Sequence, residues 1–145
     1  MRRVNLLAPE LEHSSERDGY RWRSARVAAA LGATRIGASL YELPAGERTF
    51  PYHFHHGMEE WVLVVVGTPT LRGADGEREL RAGDVVCFLP GPEGGHQLQG
   101  PGTVLIVSAN CTPETISYPD SAKVGAMPPG RVFRESDAVD YWEGE

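Results

Sequence analysis

The chain has 145 residues, which corresponds to one domain, and carries 14 Lys+Arg against 20 Asp+Glu, for a net charge of −6. Neutralising phosphates needs a basic stripe, so this balance argues against a general nucleic-acid binder. The longest apolar run, Trp61 to Val66, is too short to cross a bilayer, and no apolar signal follows Arg2 and Arg3. We therefore expect a cytoplasmic protein that contacts neither nucleic acid nor membrane, with Cys87 and Cys111 as reduced thiols.

The N-terminal third gives little regular pattern. Residues 1–20 are polar and show no apolar periodicity, and we interpret 1–34 as an irregular N-terminal arm. Within that arm the apolar run 27–31 fits a short helix or a strand equally well. The chain also holds 17 glycines and 11 prolines, an excess that favours short strands and tight turns over long helices.

From residue 35 the pattern becomes that of β-structure. Residues 36–41 alternate in polarity, and Glu60–Val66 is apolar on both parities, as in a strand covered on both faces. Asp75-Gly76 predicts a hairpin. Counting the strands that follow, we expect seven or eight at short spacing over about 35–110, which predicts an all-β sandwich or barrel in a single domain, 1–145.

The C-terminal segment combines prolines with large apolar side chains, namely Tyr118, Phe133, Val139, Tyr141 and Trp142. We interpret 112–145 as a strap that packs over the barrel or over a neighbouring subunit, with one helical turn at 137–142. Because such a strap would cover exposed strand edges, we expect a homodimer.

Four of the five histidines lie in two places. His53 and His55 are two apart in an extended segment, so their rings leave the same face roughly 6–7 Å apart, a workable spacing for one metal ion. Glu60 follows five residues later, and His96 follows a Gly/Pro loop. Neutral imidazoles with one carboxylate suit a divalent transition metal such as Fe, Mn, Ni or Zn. The alternative is that the same residues bind a ligand without metal.

These motifs resemble those of the cupin superfamily. The stretch Gly46-x6-His53-Phe54-His55-x4-Glu60-x6-Gly67 is similar to the first cupin motif, and Gly83-Asp84-Val85-Val86-Cys87-Phe88-Leu89-Pro90 through His96 is similar to the second. The resemblance implies a double-stranded β-helix, that is, a jelly-roll barrel. It also implies one metal ion held by His53, His55, Glu60 and His96. Two features depart from the second cupin motif. The loop from Pro90 to His96 is one residue longer than the spacing usual in that motif, and Gly100 stands where the motif frequently has an asparagine.

Because side chains alternate between the two faces of a strand, their position distinguishes the predicted metal ligands from neighbouring residues. Only one of the neighbours Glu59 and Glu60 can face the interior, and the resemblance selects Glu60. His56 should point away from the His53/His55 face. Tyr52, His56 and Glu93 are candidates for further pocket groups. Cys87 shares parity with Val85 and Leu89, and we expect it in the core.

Two functions from different classes fit this site. The first is a mononuclear metalloenzyme of the oxygenase or isomerase type, in which an open coordination position takes a small organic molecule. The second is a non-catalytic module that binds or senses a small molecule. The fold is common to both, so the site has to discriminate between them.

Overall fold

A computed structural model describes all residues of the chain, 1–145. It contains thirteen strands, one α-helix and three short 3-10 helices. The strands are β1 (His13–Arg17), β2 (Tyr20–Ala25), β3 (Ile36–Leu43), β4 (Phe54–His55), β5 (Glu60–Gly67), β6 (Thr70–Gly73), β7 (Gly76–Glu79), β8 (Val85–Phe88), β9 (His96–Gln99), β10 (Gly102–Ala109), β11 (Glu114–Tyr118), β12 (Lys123–Met127) and β13 (Arg131–Arg134). The helices are α1 (Val27–Leu31) and the 3-10 turns Pro92–Gly94, Pro119–Ser121 and Glu135–Asp137. No helix is long and apolar enough to cross a membrane.

The strands form three antiparallel sheets. The large sheet has the order β1-β2-β3-β10-β5-β8, the second β13-β12-β11-β4, and the third β7-β6-β9. The predicted hairpin around Asp75-Gly76 joins β6 to β7. Strands that neighbour each other in space, such as β3 and β10, are far apart in sequence. This connectivity is that of a jelly roll.

The main core lies between the large sheet and the three-stranded sheet β7-β6-β9. β5 contributes Val62 and Val64, which are fully buried because they share the parity that faces inward. The opposite wall is supplied by β6 and β9 through Leu71 and Leu98. The remaining members of the cluster are Leu43, Leu80, Phe88, Val104 and Ile106. The predicted all-β jelly-roll fold is confirmed.

The N-terminal arm is more regular than the sequence indicates. β1 and β2 form a hairpin that extends the large sheet through the pairing of β2 with β3. The sequence of β1, His-Ser-Ser-Glu-Arg, lacks an apolar face because four of its five residues are exposed at the sheet edge. The run 27–31, left open between helix and strand, is the short helix α1.

The outer face of the large sheet is only partly covered, which corrects two predictions. Leu63 and Val65 of β5 are half-buried, whereas Trp61 is 52% exposed. Trp61 pairs with Cys87 of β8, and both point outward, so Cys87 is exposed and not in the core. The inward parity of β8 belongs to Phe88 and Val86 instead. Every residue of this strand is apolar, so alternation could not indicate which side faces inward.

The strap of residues 112–145 is partly regular. Its strands β11, β12 and β13 form a meander, and β11 pairs with β4 next to the histidines. The end of the strap does not form the predicted helical turn at 137–142; a single 3-10 turn occupies Glu135–Asp137. Beyond it Tyr141 and Trp142 are strongly exposed and contact each other edge to face.

Candidate metal centre

His53 and His55 lie on one side of a short extended segment, as their spacing predicts. Both are buried, and their ring centroids are 5.2 Å apart. His53 forms a two-way backbone pair with His96, at 3.2 and 2.9 Å, which fixes it beside β9. His55 is held by β4, which pairs with β11. The barrel therefore brings residue 96 next to residues 53–55.

Glu60 and His96 begin the strands β5 and β9 and meet across the barrel. Nε2 of His96 lies 2.9 Å from Oε1 of Glu60, and both residues are buried. The His96 ring stacks on Phe88 with centroids 3.8 Å apart and an angle of 9° between the planes. Glu59 is exposed, so the strand has the register that the sequence analysis assigned.

Three of the four predicted ligand residues meet, and the fourth, His55, lies beside them. One ligand atom each from His53, Glu60 and His96 lie within 4.8 Å of one another. Nε2 of His55 lies 3.8 Å from Oε2 of Glu60 and completes the group. Three imidazoles and one carboxylate around a common centre are a donor set for a divalent transition metal.

The second ring nitrogen of each histidine faces an acceptor. Nδ1 of His53 is 2.9 Å from the carbonyl oxygen of Pro51, and Nδ1 of His96 is 2.9 Å from that of Gly94. Nδ1 therefore donates its proton to the carbonyl in both rings. This leaves the Nε2 lone pair of His53 free, whereas Nε2 of His96 faces Oε1 of Glu60. Such outer partners orient histidines that bind metals.

His55 gives the sharpest indication that a cation belongs here. Both of its ring nitrogens are buried and have no hydrogen-bond partner. Leaving a buried polar atom unpaired costs about 1–3 kcal/mol, so native proteins rarely do so without a reason. A metal ion bound to Nε2 would give that nitrogen a partner, while Nδ1 faces a carboxylate oxygen of Glu114 at 3.5 Å. The donor set suits such an ion. The residues present therefore fit a metal.

The protonation states agree with this interpretation. Burial and, next in size, the neighbouring His96 lower the pKa of His53 to about 4. Burial also lowers the pKa of His55. For Glu60 burial acts in the opposite direction, but the hydrogen bond from His96 and the surrounding histidines outweigh it and lower its pKa. At neutral pH the site thus offers two neutral imidazoles and an ionised carboxylate, the forms that bind metal.

Glu114, which sequence reasoning missed, completes the surroundings of His55. It is the first residue of β11, and its side chain is only 2% exposed. Oε1 accepts hydrogen bonds from the backbone N–H groups of His56 and Gly57, at 2.9 and 3.3 Å, and lies 3.5 Å from Nδ1 of His55. A glutamate directly after a proline in the strap gives no sequence signal for this contact, because the partners are 57 to 59 residues apart.

A small cavity of about 230 Å³ opens beside the four predicted ligands, and we call it the metal pocket. Its walls are Phe50, Pro51, Ile116 and Tyr118, together with His53, His55 and Glu60. Tyr118 lies along His53, with ring centroids 6.0 Å apart and planes at 28°. The strap, through Ile116 and Tyr118, thus forms part of the pocket wall.

None of the three further pocket candidates lines the metal pocket. Tyr52 lies outside it, under the guanidinium of Arg72 at 4.2 Å from the ring centre. His56 is exposed and points away, as predicted, with Nε2 2.9 Å from the hydroxyl of Ser117. Glu93 is also exposed, because the 3-10 turn Pro92–Gly94 directs it to the outer surface beside Cys87.

The lengthened loop before His96 folds tightly against its surroundings. A Cβ on Gly94 would lie 1.8 Å from the carbonyl oxygen of Leu89, and one on Gly95 would lie 2.3 Å from the hydroxyl of Tyr52. Only glycine allows such a close approach. The tight loop places the Gly94 carbonyl oxygen 2.9 Å from Nδ1 of His96.

Comparison with known proteins agrees with the fold and the motifs. The model of the cupin domain matches residues 39–109, and no protein of curated function matches the chain significantly. A sugar phosphate isomerase of the cupin superfamily from Silicibacter pomeroyi has a similar structure, with a TM-score of 0.80, 26% identity and coverage of 95% of this chain and 96% of that one.

Two further structures extend the comparison. A proposed sugar phosphate isomerase from Acidithiobacillus ferrooxidans gives a TM-score of 0.81 at 22% identity and covers 93% of this chain and 91% of its own. The polyketide cyclase RemF from Streptomyces resistomycificus gives a TM-score of 0.55 at 24% identity, and the match covers 79% of this chain and 83% of that one. Both share the fold. With both motifs in place and this architecture, residues 39–109 are a cupin domain.

Proposed function

We propose that the protein is a mononuclear metal-dependent isomerase of a small polar molecule. His53, His55, Glu60 and His96 would hold one divalent ion, Fe, Mn, Ni or Zn. The observation that carries the proposal is the buried Nε2 of His55, which has no hydrogen-bond partner and lies next to three donors that already meet. A purely structural cluster would pair its nitrogens within the protein.

The metal would act as a Lewis acid that polarises a carbonyl or hydroxyl oxygen of the substrate. The protein supplies a narrow, partly apolar pocket in which Phe50, Pro51 and Ile116 limit access of water. Tyr118 is the hydroxyl-bearing side chain of this wall. Burial raises its pKa, so the phenol stays protonated and can donate a hydrogen bond to a substrate oxygen.

Isomerase chemistry is favoured over oxygenase chemistry by the neighbour from Silicibacter pomeroyi, whose name gives it as a sugar phosphate isomerase. That chain matches this one over nearly its whole length. Isomerisation of a hydroxy-carbonyl compound moves a proton between adjacent carbons and needs no co-substrate. A small pocket with a Lewis acid and a hydroxyl donor suits that reaction.

The activity is tested by proton exchange. Metal-loaded protein is incubated in D2O with trioses, pentoses and hexoses, each as the free sugar and as its phosphate ester, and followed by NMR. We expect deuterium to enter beside the carbonyl of at least one compound, and Glu60→Gln to abolish this while Glu59→Gln retains it. Tight metal binding without exchange on any compound would contradict the isomerase and support a non-catalytic binding module.

We further propose that the protein works as a homodimer in the cytoplasm. Phe133, Tyr141 and Trp142 of the strap are at least half exposed, an arrangement that a second subunit would cover. The two cysteines, Cys87 and Cys111, are free thiols, which suits a reducing compartment.

A further inference from the structure

A second cavity opens next to the metal pocket, and we call it the outer groove. It measures about 510 Å³ and runs between the hairpin β1–β2 and the strap. Phe50 and Pro51 line both cavities, so the two are adjacent. The polar side chains that face the groove from its two sides are Ser15, Arg17 and Tyr20 on the hairpin, and Asp120, Ser121 and Lys123 on the strap.

The outer groove is positively charged in a chain whose net charge is −6. Arg17 and Lys123 have no carboxylate within 4.0 Å, whereas the groove's one carboxylate, Asp120, is bound by Arg72 in a two-point contact at 2.6 and 2.9 Å. The acidic charge of the groove is thereby neutralised, and two cations remain unmatched. Lys123 is the only lysine of the chain, and it is half-buried here.

Lys123 lies close to the reacting centre. Its Nζ is 5.7 Å from the ring centre of Tyr118, and Tyr118 in turn lies 6.0 Å from the ring of His53. One aromatic ring therefore separates the ammonium group from the metal pocket. A molecule of a few carbons that reaches past the edge of Tyr118 can place one end in each cavity.

The groups in the outer groove match a phosphate better than a carboxylate. A phosphate monoester carries a charge of about −1.5 to −2 at neutral pH and three acceptor oxygens. Two cations and the hydroxyls of Ser15, Tyr20 and Ser121 supply that charge and that many donors. A carboxylate would be satisfied by one guanidinium and would leave the other cation unmatched.

We propose that the outer groove binds the terminal phosphate of the substrate through Lys123 and Arg17, so that the protein acts on a phosphorylated hydroxy-carbonyl compound. This rests on the proposed function, because it places the other end of that compound in the metal pocket. The clamp of Arg72 on Asp120 fixes the turn Pro119–Ser121 and so holds Ser121 and Lys123 in place before the ligand arrives.

The test measures binding of glycerol 3-phosphate to metal-stripped protein by titration calorimetry, so a phosphate bound to the metal cannot contribute. Glycerol and glycerate are the companion probes, and Lys123→Met, Arg17→Met and the matched control Arg35→Met are the variants. Arg35 is exposed, has no acidic partner and does not line the groove. Methionine keeps the apolar stem of the side chain it replaces.

We expect Lys123→Met and Arg17→Met each to weaken glycerol 3-phosphate binding by about tenfold or more, the usual effect of losing a charge-assisted hydrogen bond, and Arg35→Met to leave it unchanged. Glycerate that binds as tightly as glycerol 3-phosphate would overturn the phosphate assignment. An unaltered affinity in Lys123→Met would overturn the site.

Metal binding by the same variants separates this proposal from the proposed function. Lys123→Met should take up metal like wild type, because Lys123 contacts none of the four predicted ligands. If wild type binds glycerol 3-phosphate in the outer groove but retains no metal, the metalloenzyme proposal fails and the phosphate site stands. If wild type retains metal but does not bind glycerol 3-phosphate, the phosphate site fails and the metalloenzyme proposal stands.

Discussion

Single side chains decide what this centre can bind. Glu114 faces His55 from the strap and is anchored by two backbone N–H groups, so its position does not depend on a ligand. A carboxylate opposite Nδ1 keeps the proton on that nitrogen and directs Nε2 to the metal.

Replacing Glu114 by glutamine therefore tests the orientation of His55. The amide oxygen can still accept from the N–H groups of His56 and Gly57, but the negative charge is lost. We expect metal affinity to fall by about 10- to 100-fold, as for other outer-shell partners, with the fold retained. Metal titration of the stripped protein measures this, with Glu59→Gln as the control; equal affinities would show that Glu114 does not position His55.

The lowered pKa of His53, about 4, makes stability depend on pH. The unfolded chain takes up a proton on this histidine near pH 6.5, and the folded chain only near 4, so folding stability falls as the pH drops through that window. The full loss is about 3 kcal/mol for metal-stripped protein.

Urea unfolding of stripped protein between pH 7 and pH 4 checks this prediction. His53→Asn should make the stability curve flatter across the window, whereas changing the exposed His13 to Asn should leave its slope as in wild type. If the free energy of unfolding of His53→Asn depends on pH as steeply as that of wild type, groups other than His53 cause the acid sensitivity.

At the scale of strands, alternation predicts orientation only where polarity alternates. The neighbours Glu59 and Glu60 are separated by burial as expected, and His56 points away from His55 as expected. In β8 all positions are apolar, so the pattern does not indicate which side faces inward. The prediction of Cys87 in the core is wrong, because Phe88 and Val86 face the core. The hairpin β1–β2 has no apolar pattern that would predict it, because an exposed edge strand needs no apolar face.

The parity of β8 can be tested by two adjacent substitutions. Cys87→Ser should change the free energy of unfolding by no more than about 0.5 kcal/mol, because the side chain is exposed. Phe88→Ala should destabilise by about 3–5 kcal/mol, since it removes a buried ring on which His96 stacks. Chemical denaturation measures both, and a larger effect for Cys87→Ser would reverse the assignment.

At the scale of the whole molecule, the jelly roll and the approach of residue 96 to residues 53–60 follow from the two motifs. In the structure these motifs pair directly, through His53 with His96 and through β5 with β8. The role of the strap in the site cannot be predicted from its sequence. β11 of the strap pairs with β4, and the prolines and polar residues of the strap do not indicate that pairing. Its far end leaves Tyr141 and Trp142 exposed.

Exposed aromatic groups at the end of the strap lead to a prediction about assembly. We expect sedimentation equilibrium at micromolar concentration to show a dimer, because burial of these rings would stabilise association. Removing residues 138–145, which lack strand pairing, should weaken the dimer while leaving the fold and the metal centre intact. A wild-type monomer under these conditions would contradict the prediction.

The central claim is that Glu60 and the three histidines bind one divalent metal, and thermal unfolding of stripped protein with and without added metal tests it most directly. A metal at a hundredfold excess over its dissociation constant adds about 2.7 kcal/mol, which raises the melting temperature by roughly 5–10 °C. We predict this rise with at least one of Fe, Mn, Co, Ni or Zn in wild type and Glu59→Gln, and its loss in Glu60→Gln. No rise in wild type with any of these ions, or a loss in Glu59→Gln and not in Glu60→Gln, would contradict the account.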